Sequence, residues 1–342
     1  MKIGILTGGG DCPGLNAVIR AVVKKGHNLG YSFIGIKDGW RGLVELNATG
    51  LAIKDVSGIL PRGGTILGTS RTNPLRKPED ETRLFDNIKT LGLDSIVCIG
   101  GDDTLSVAAR LFEKDIKTVG VPKTIDNDLA GTDFTFGFDT AVSIVTEALD
   151  RLHTTTEAHH RIMVVEVMGR HAGWIATYGG IAGGADMILI PEEPFDVDEV
   201  VAVVKKRKEL GKTFSIIVAA EGAYPKGAGG MITKDKALDA FGHARLGGVG
   251  EFLAVELQKR TDIETRFVVL GHLQRGGTPT AYDRVLATRY GVKAVELIQE
   301  GRFGRMVALK GNEIVDVSLH EATHKTKTVN RELYEMTKVF SG

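Results

Sequence analysis

Short apolar runs alternate with amphipathic helical patterns along most of the 342 residues. A first strand is predicted over 3–6, a helix follows over 15–29, and the next strand lies over 33–36. The series ends with a helix over 281–299 and a strand near Val307. Apolar strands that are each followed by a helix are typical of parallel sheets with helices on both faces. We therefore predict an α/β fold, and the length favours two domains.

Between these ends the alternation is nearly regular. Further strands are predicted over 95–99, 119–121, 162–167, 187–190, 214–219 and 266–270, and further helices over 79–91, 105–112, 139–153, 170–182, 196–209 and 248–260. Gly92 follows one of these helices and suits a left-handed C-cap. The glycine-rich stretch 222–230 interrupts the series and is predicted to be an exposed loop. In sheets of this kind, functional loops follow the carboxyl ends of strands.

Charge and cysteine content exclude several classes of protein. The 43 Lys and Arg residues balance the 43 Asp and Glu residues, so the chain lacks the basic excess of a nucleic-acid-binding protein. Its two cysteines, Cys12 and Cys98, cannot form a disulfide framework and show no metal-binding spacing. No run of 18 apolar residues occurs, and the first apolar run is too short for a signal peptide. We expect a soluble cytoplasmic protein with no nucleic-acid partner and no membrane partner.

Glycine is in excess, with 44 of the 342 residues against a usual share of ~7%. Gly8, Gly9 and Gly10 lie directly between a strand and a helix, where backbone N–H groups can converge on phosphate oxygens. The segment is not a dinucleotide fingerprint, because Pro13 stands where the third glycine belongs, and it lacks the Gly-Lys-Ser/Thr of a P-loop. Taken alone, it is also compatible with a tight turn.

Acidic side chains follow two neighbouring strands of the predicted sheet. Asp102 and Asp103 come after one strand, and Lys123, Asp126 and Asp128 come after the next. Carboxylates at strand ends suit Mg²⁺, which prefers one or two carboxylates together with phosphates and water. A further aspartate can accept the proton of an attacking hydroxyl. The alternative is that these polar residues only form turns and helix caps.

Six sequence blocks occur along nearly the whole chain: GGGDCPGLN at 8–16, RGGT at 62–65, GGD at 100–102, TIDND at 124–128, VEVMGR at 165–170 and LGHLQRGG at 270–277. In this order they resemble the 6-phosphofructokinases, whereas NAD kinases share only the Gly-Gly-Asp turn. The resemblance implies an α/β fold of two doubly wound lobes with mainly parallel sheets. It implies a lobe for the phosphoryl donor and Mg²⁺ at 1–137 with about 274–324, and a sugar-phosphate lobe at 138–273 with about 325–342.

The resemblance implies Mg²⁺-dependent transfer of phosphate to the 1-hydroxyl of fructose 6-phosphate. In the family's scheme, Asp126 matches the base that takes the hydroxyl proton. Thr124 and Arg170 match groups that steady the transferring phosphoryl, and Gly10 offers its backbone N–H to the donor's phosphates. Since the transition state carries charge on its equatorial oxygens, positioning and positive potential supply most of the catalysis.

Other positions match contacts to the sugar phosphate. These are Thr124, Met168, Gly169, Arg170, Glu221, His272 and Arg275. Arg161 and Arg266 match positions that reach the sugar phosphate from a neighbouring subunit, which implies a homodimer or homotetramer with shared active sites. Arginine suits this contact because its planar fork binds phosphate through paired hydrogen bonds. Simpler roles stay open: Met168 in the core, Glu221 at a solvated strand end, and Arg161 in a local cap or ion pair.

The donor site departs from the pattern of ATP-using members, which generally carry glycine where this chain has Asp103 and Lys123. Both residues resemble the pyrophosphate-dependent branch. A carboxylate at 103 would repel the α-phosphate of a nucleotide, and Lys123 adds a positive charge for a small polyanion. Because some ATP-dependent members also carry lysine at this position, Asp103 carries the inference. Remaining donor-side assignments are Arg71 for donor binding, and Asp102 and Asp128 for Mg²⁺.

Pyrophosphate as donor implies a reversible reaction. Two alternatives stay open: an ATP-dependent 6-phosphofructokinase, and a catalytically silent subunit that binds sugar phosphate and regulates an active partner. Against the silent subunit, Asp102, Thr124, Asp126 and Arg170 are all intact.

Allosteric members bind anionic effectors with several basic residues. Arg20 and Lys212 are retained here, whereas Lys24 and His153 stand in place of arginines and Leu210 in place of a lysine. The loss of charge and of a bidentate fork weakens an anion site. We therefore expect weak or absent allosteric control.

Overall fold

Two sheets organise the protein, for which a computed structural model describes residues 1–238 and 244–340. The larger sheet contains β1 (Lys2–Thr7), β2 (Ser32–Ile36), β3 (Ala48–Leu51), β4 (Ser95–Gly100), β5 (Thr118–Pro122), β12 (Arg305–Lys310) and β13 (Glu313–Ser318). Its strand order is β13-β12-β5-β4-β1-β2-β3. The five central strands are parallel, and the two edge strands run antiparallel to their neighbours.

The smaller sheet contains β6 (Ile162–Val167), β7 (Met187–Leu189), β8 (Ser215–Ala220) and β11 (Thr265–Val269). These strands are all parallel, in the order β11-β6-β8-β7. Two short strands that pair antiparallel, β9 (Thr233–Leu238) and β10 (Ala244–Leu246), follow β8. The predicted α/β fold with mainly parallel sheets is therefore confirmed.

Helices connect the strands: α1 (Leu15–His27), α2 (Trp40–Glu45), α3 (Pro78–Leu91), α4 (Asp102–Phe112), α5 (Phe138–Ala158), α6 (Trp174–Ala182), α7 (Val197–Glu209), α8 (Val249–Thr261), α9 (Ala281–Gln299), α10 (Leu319–His324) and α11 (Arg331–Lys338). Short 3₁₀ turns lie at Ile53–Val56 and Gly271–Arg275. Across residues 1–238 and 244–340, no helix is long and apolar enough to cross a membrane.

The core is continuous between the sheets. β4 and β6 are buried along their whole length, as their apolar sequences predict. One apolar cluster includes Ile5 of β1 and Val165 of β6, so both sheets pack into the same interior. The chain leaves the larger sheet after β5, forms the smaller sheet, and returns through α9 to β12 and β13. The residue boundaries of the two lobes stay a prediction.

Most predicted elements are present, with two informative differences. The helix predicted over 170–182 begins only at Trp174, because Gly169 has a φ of 139° and Gly173 is the N-cap. The helix predicted from 105 already begins at Asp102. Gly92 caps α3 in the left-handed conformation, as predicted. Short elements that sequence analysis did not predict include α2, β3, β9, β10, β13, α10 and α11.

Candidate active site

Two acidic segments start side by side where β4 and β5 end. The two strands are neighbours, with Gly100 paired with Pro122. Asp102 is the first residue of α4, directly after Gly101, and Asp126 and Asp128 lie in the loop after β5. The pKa of Asp128 is raised to about 7, first by burial and then by the negative charges of Asp126 and Asp102. Asp126 and Asp102 therefore both lie close enough to repel the charge of Asp128.

Hydrogen bonds within the second loop leave the Asp126 carboxylate available. Asp126 donates its backbone N–H to Thr124 Oγ1 at 3.0 Å, and Thr135 Oγ1 donates to the Thr124 carbonyl at 2.7 Å. Asn127 turns the chain with a φ of 52°, and its Oδ1 accepts the Thr135 N–H at 3.0 Å. Asp126 Oδ1 is buried and has no hydrogen-bond partner among the residues that the structure describes. An unpaired buried carboxylate oxygen is suited to accept a proton.

The glycine loop after β1 makes room for two cations. Lys123 is buried, its Nζ donates to the Gly10 carbonyl, and burial lowers its pKa. Arg275 Nη1 donates to the Asp11 carbonyl at 3.2 Å. A Cβ at Gly10 would lie 2.6 Å from Arg275 Nη1, and one at Gly9 would lie 3.4 Å from Lys123 Nζ. The glycines therefore let both cations approach the backbone at this turn.

The glycine loop also contacts the segment that carries Arg71. Gly9 donates its N–H to the Ser70 carbonyl at 3.1 Å, which places the exposed Arg71 next to the loop. On the other side, a Cβ at Gly8 would lie 2.5 Å from Thr104 Oγ1. Glycine at position 8 is thus required for close packing against α4.

Asp103 is the second residue of α4, directly before Thr104. Its backbone carbonyl accepts the Ser106 hydroxyl at 2.9 Å. The N-cap of the helix is Gly101, so the alternative that Asp103 itself caps the helix is wrong. The Asp103 carboxylate therefore lies in the first turn of α4, beside the more exposed Asp102.

The sugar side comes from the ends of β6 and β8. Glu221 follows β8, and its N–H donates to the Val167 carbonyl at 2.8 Å. The pKa of the Glu221 carboxyl is raised to about 7, by burial and then by the charge of Asp126, and Arg170 and Arg275 oppose the rise. The loops of both sheets therefore converge on one space, with the Asp126 carboxylate in reach of the sugar-side charges.

Backbone bonds fix the other predicted sugar contacts. Met168 donates its N–H to Gln274 Oε1 at 3.2 Å, and Gly222 donates its N–H to the Gly169 carbonyl at 3.1 Å. The Met168 side chain is half-buried and packs against the core. His272 is exposed on the adjacent 3₁₀ turn.

The structure places two predicted contacts elsewhere. Arg161 precedes β6 and Met168 follows it, so these two residues lie ~20 Å apart along the six-residue strand. Arg161 Nε lies 2.8 Å from Glu264 Oε2, and Arg266 Nη2 lies 2.6 Å from Glu264 Oε1. A cavity of about 430 Å³ at this end of the sheet is lined in part by Arg161, Glu264 and Lys212. Within one chain these arginines are therefore separated from Asp126.

Three charged residues that support these loops were missed: Glu166, Asp283 and Lys327. Buried Glu166 accepts the Gly250 N–H at 2.9 Å, and buried Asp283 accepts the Thr140 N–H at 2.8 Å and its hydroxyl at 2.6 Å. Lys327 donates its N–H to the carbonyl of the loop aspartate at position 128. Each bond joins segments that are remote in sequence, so no local motif indicates it.

The acidic segments after β4 and β5 fit Mg²⁺ only if a phosphate supplies further oxygen ligands. Within the described parts of the chain, no group of three or more His, Cys, Asp or Glu side chains is placed to hold a metal by itself. Asp102 and Asp128 nevertheless repel each other, and a divalent cation between them would relieve that repulsion. Because Mg²⁺ takes one or two carboxylates and completes its shell with phosphates and water, the residues present fit it.

Comparisons with known proteins agree on one family. The family described as Phosphofructokinase matches residues 2–298. Pyrophosphate–fructose 6-phosphate 1-phosphotransferase of Streptomyces coelicolor is 58% identical over 100% of both chains, and ATP-dependent 6-phosphofructokinase 3 of the same organism is 54% identical over 96% of both. Pichia pastoris phosphofructokinase in the T-state matches with a TM-score of 0.84 and 32% identity, over 99% of this chain and 36% of that one. This chain belongs to the phosphofructokinase family.

Proposed function

We propose that this enzyme transfers phosphate reversibly from pyrophosphate to the 1-hydroxyl of fructose 6-phosphate with Mg²⁺, giving fructose 1,6-bisphosphate and phosphate. The reaction is a step of glycolysis and, in reverse, of gluconeogenesis, and we place it in the cytoplasm. Family membership supports the sugar substrate and the class of reaction. The observation that carries the choice of pyrophosphate is the carboxylate of Asp103 in the first turn of α4.

Overall identity does not separate the two donors, because relatives named for each are similar to this chain at 58% and 54%. A helix N-terminus normally attracts phosphate through its positive dipole. Asp103 puts a negative charge at that end of α4, next to the Thr104 side chain that packs on the glycine loop. The α-phosphate of ATP would meet this charge, whereas pyrophosphate has no α-phosphate and no adenosine to place there.

Asp126 acts as the base in this scheme. Its buried, unpaired Oδ1 takes the proton of the 1-hydroxyl while the hydroxyl oxygen attacks the nearer phosphorus of pyrophosphate. The bond from that phosphorus to the bridging oxygen breaks, and the second phosphate leaves with the electron pair. In the reverse direction, protonated Asp126 returns the proton to the sugar oxygen.

Positive charge and backbone donors hold the phosphates. Arg170 and Thr124 steady the transferring phosphoryl, and the Gly10 N–H and Lys123 hold the departing phosphate, with Arg71 nearby. Because Lys123 is buried, little solvent screens the attraction between its charge and a bound phosphate. When bound, Mg²⁺ would be held by Asp102 and Asp128 and would neutralise phosphate charge.

The sugar phosphate binds to Met168, Gly169, Glu221, His272 and Arg275, and its 6-phosphate to Arg161 and Arg266 of a neighbouring subunit. The separation of these two arginines from Asp126 within one chain supports a homo-oligomer, either a dimer or a tetramer. Their shared partner Glu264 holds both guanidinium groups at the same end of the smaller sheet. A phosphate would replace that carboxylate through the same paired donors.

We also propose that allosteric control is weak or absent. Leu210 is 63% exposed and offers no charge, and His153 Nε2 is already 2.8 Å from the Gly183 carbonyl. Arg20, Lys24 and Lys212 remain as cations, with one bidentate fork among them. Velocity curves should therefore respond little to ADP or phosphoenolpyruvate.

One assay with variants at position 103 tests the donor. The purified protein with fructose 6-phosphate and Mg²⁺ should form the bisphosphate with pyrophosphate and not with ATP. Asp103→Gly should raise kcat/KM for ATP by roughly tenfold or more, because charge and bulk are both removed. Asp103→Asn is the matched control, since it removes the charge and keeps the size.

Each result of this assay has one meaning. A gain of ATP use in both variants would assign the exclusion of ATP to charge, and a gain in Asp103→Gly alone would assign it to space. Activity of the unchanged protein with ATP only would replace the proposal by the ATP-dependent alternative. Inactivity with both donors would favour the silent regulatory subunit.

A further inference from the structure

The C-terminal segment 325–330, which we call the strap, lies between the loop after β5, which carries Asp126 and Asp128, and helix α6 beside the smaller sheet. Lys327 donates its backbone N–H to the Asp128 carbonyl at 2.7 Å, and Thr326 forms an antiparallel bridge with Leu129. The Lys327 carbonyl accepts Nε1–H of Trp174 at 2.9 Å. Trp174 is the first residue of α6, so the strap joins the loop after β5 to the start of a helix of the smaller sheet.

A second anchor lies further along the strap. Val329 is buried and donates its N–H to Glu192 Oε1 at 2.9 Å. The same carboxylate accepts the Gly173 N–H with both oxygens at 3.0 Å. Gly173 follows Arg170 by three residues, so the strap is tied to the segment that carries this proposed phosphoryl contact. Movement of the strap would displace both the acidic loop and Arg170.

The side chain of Lys327 acts on the same loop. Its Nζ donates to the Thr132 carbonyl at 3.0 Å and to the Asp133 carbonyl at 2.8 Å, and it lies 5.1 Å from the centre of the Trp174 ring. Burial lowers the pKa of Lys327 to about 8, and the charge of Asp128 opposes the fall. The ammonium is therefore held by two carbonyls of the loop and an aromatic face, within range of the Asp128 carboxylate.

We propose that Lys327 is a positioning residue for the phosphoryl donor: it holds the loop of Asp126 and Asp128 in place and adds a positive charge on the strap side of that loop. This inference rests on the proposed function. Three carboxylates at the site repel a polyanionic donor, and Lys327, whose Nζ is bonded to the Thr132 and Asp133 carbonyls, lies within range of the Asp128 charge. Loss of Lys327 therefore weakens donor binding and turnover while the sugar site stays intact.

Lys327→Met keeps the length of the side chain and removes its charge and donors. We expect kcat to fall by about 10- to 100-fold, since hydrogen bonds from a charged group are lost. KM for fructose 6-phosphate should change by less than about twofold, because the hydrogen bonds that this variant loses go to the Thr132 and Asp133 carbonyls and to no sugar contact. Lys327→Arg retains the charge and donors and should restore most of kcat.

Binding provides a readout that does not depend on turnover. Mn²⁺ with pyrophosphate is the probe, followed by the electron paramagnetic resonance signal of Mn²⁺ at fixed metal. We expect Kd for the Mn²⁺–pyrophosphate complex to rise by about tenfold in Lys327→Met, and calorimetric Kd for fructose 6-phosphate to stay unchanged. Lys310→Met is the control, because this lysine pairs with Asp133 of the same loop at 3.5 Å from a 53% exposed position.

Trp174→Phe keeps the proposal testable if Lys327→Met does not fold. It retains an aromatic face under the ammonium and removes the bond to the Lys327 carbonyl, and it should lower kcat by about 3- to 10-fold. The proposal is overturned if either folded variant keeps the kcat and the donor Kd of the unchanged protein, or if sugar binding weakens as much as donor binding. If the unchanged protein binds Mn²⁺–ATP and not Mn²⁺–pyrophosphate, the donor proposal fails, and the same tests with ATP decide on Lys327.

Discussion

The two ends of the smaller sheet hold similar charged side chains in opposite states. At the end where β6, β8 and β11 begin, which we call the amino edge, two acidic side chains form ion pairs with arginines. Glu264 lies between Arg161 and Arg266, and its pKa is lowered chiefly by its bond to Arg161. Nearby, Asp186 is paired with Arg207 at 2.7 Å. Within one chain, Glu264 thus occupies both arginines that the proposed function assigns to a neighbouring sugar phosphate.

At the opposite end, the loops after β6 and β8 of the smaller sheet meet the loops after β1, β4 and β5 of the larger sheet, and we call this region the carboxyl edge. Here burial raises the pKa values of Asp128 and Glu221 to about 7, and the negative charge of Asp126 adds to each rise. Buried Lys123 and half-buried Lys327 both donate to backbone carbonyls. Charged side chains that lack an ion-pair partner in a cleft are typical of a site that binds a charged ligand.

Loss of the base should give the largest effect at the carboxyl edge. Asp126→Ser removes the carboxylate and should lower kcat by about 10²- to 10⁴-fold with pyrophosphate. Kd for fructose 6-phosphate, measured by calorimetry, should change little, and thermal stability should not fall, because one repelling charge is gone. A variant that loses sugar binding in parallel with kcat would contradict the role of Asp126 as a base.

The sequence predicted those parts of the carboxyl edge that are local to a strand end. The glycine loop and the acidic residues after β4 and β5 each follow an apolar run, so strand prediction alone brings them to one edge. Lys327 could not be found in this way, because it is 195 residues from its partner Thr132 and bonds a carbonyl, which any residue has. Glu166 and Asp283 also bond to backbone groups that are far away in sequence, so no local pattern predicts their roles.

Errors in the predicted elements have similar causes. The sequence pattern predicts that α6 starts at 170, but Gly173 donates its N–H to the remote Glu192, and the helix begins after that bond. β3 and β13 are edge strands with partly exposed side chains, so they lack the continuous apolar pattern of the central strands. Local pattern therefore predicts the centre of the sheets, and tertiary contacts decide their edges and the ends of the helices.

Subunit mixing tests whether the amino edge is paired only within its own chain. If Arg266 reaches a neighbouring active site, Arg266→Met should raise KM for fructose 6-phosphate by at least about tenfold, because the phosphate loses a planar fork. Mixed oligomers of Arg266→Met and Asp126→Ser should regain activity, since an Arg266→Met chain supplies the base and its partner supplies the arginine. Neither variant alone should recover.

The control for this experiment is Arg302→Met. Arg302 is about as exposed and also pairs with an acidic residue, Asp316, at 2.7 Å. It should leave KM unchanged, and its mixture with Asp126→Ser should show only the activity of the Arg302→Met sites. If mixing Arg266→Met with Asp126→Ser gives no gain over the separate proteins, Arg266 serves its own chain, and the amino edge is structural.

The smallest expected effect is on the free energy of unfolding, measured after one glutamate at each edge is replaced by glutamine. Folding raises the pKa of Glu221 from 4.5 to about 7, so the folded state binds the proton more tightly than the unfolded state. The free energy of unfolding then falls as pH rises from about 4.5 through 7, by about 1–3 kcal/mol. Glu221→Gln is neutral throughout and should be more stable than the unchanged protein at pH 8, with the difference more than halved at pH 5.

Glu264→Gln should behave in the opposite way. The pKa of Glu264 is lowered by its bonds to Arg161 and Arg266, so its charge favours the folded state and that contribution is lost only below about pH 4.5. This variant should never exceed the unchanged protein in stability between pH 5 and pH 8, and its small deficit should be the same at both values. Urea unfolding at the two pH values measures both variants. If the stability of Glu221→Gln and Glu264→Gln depended on pH in the same way, Glu221 would be as well paired as Glu264. The distinction between the two edges would then be wrong.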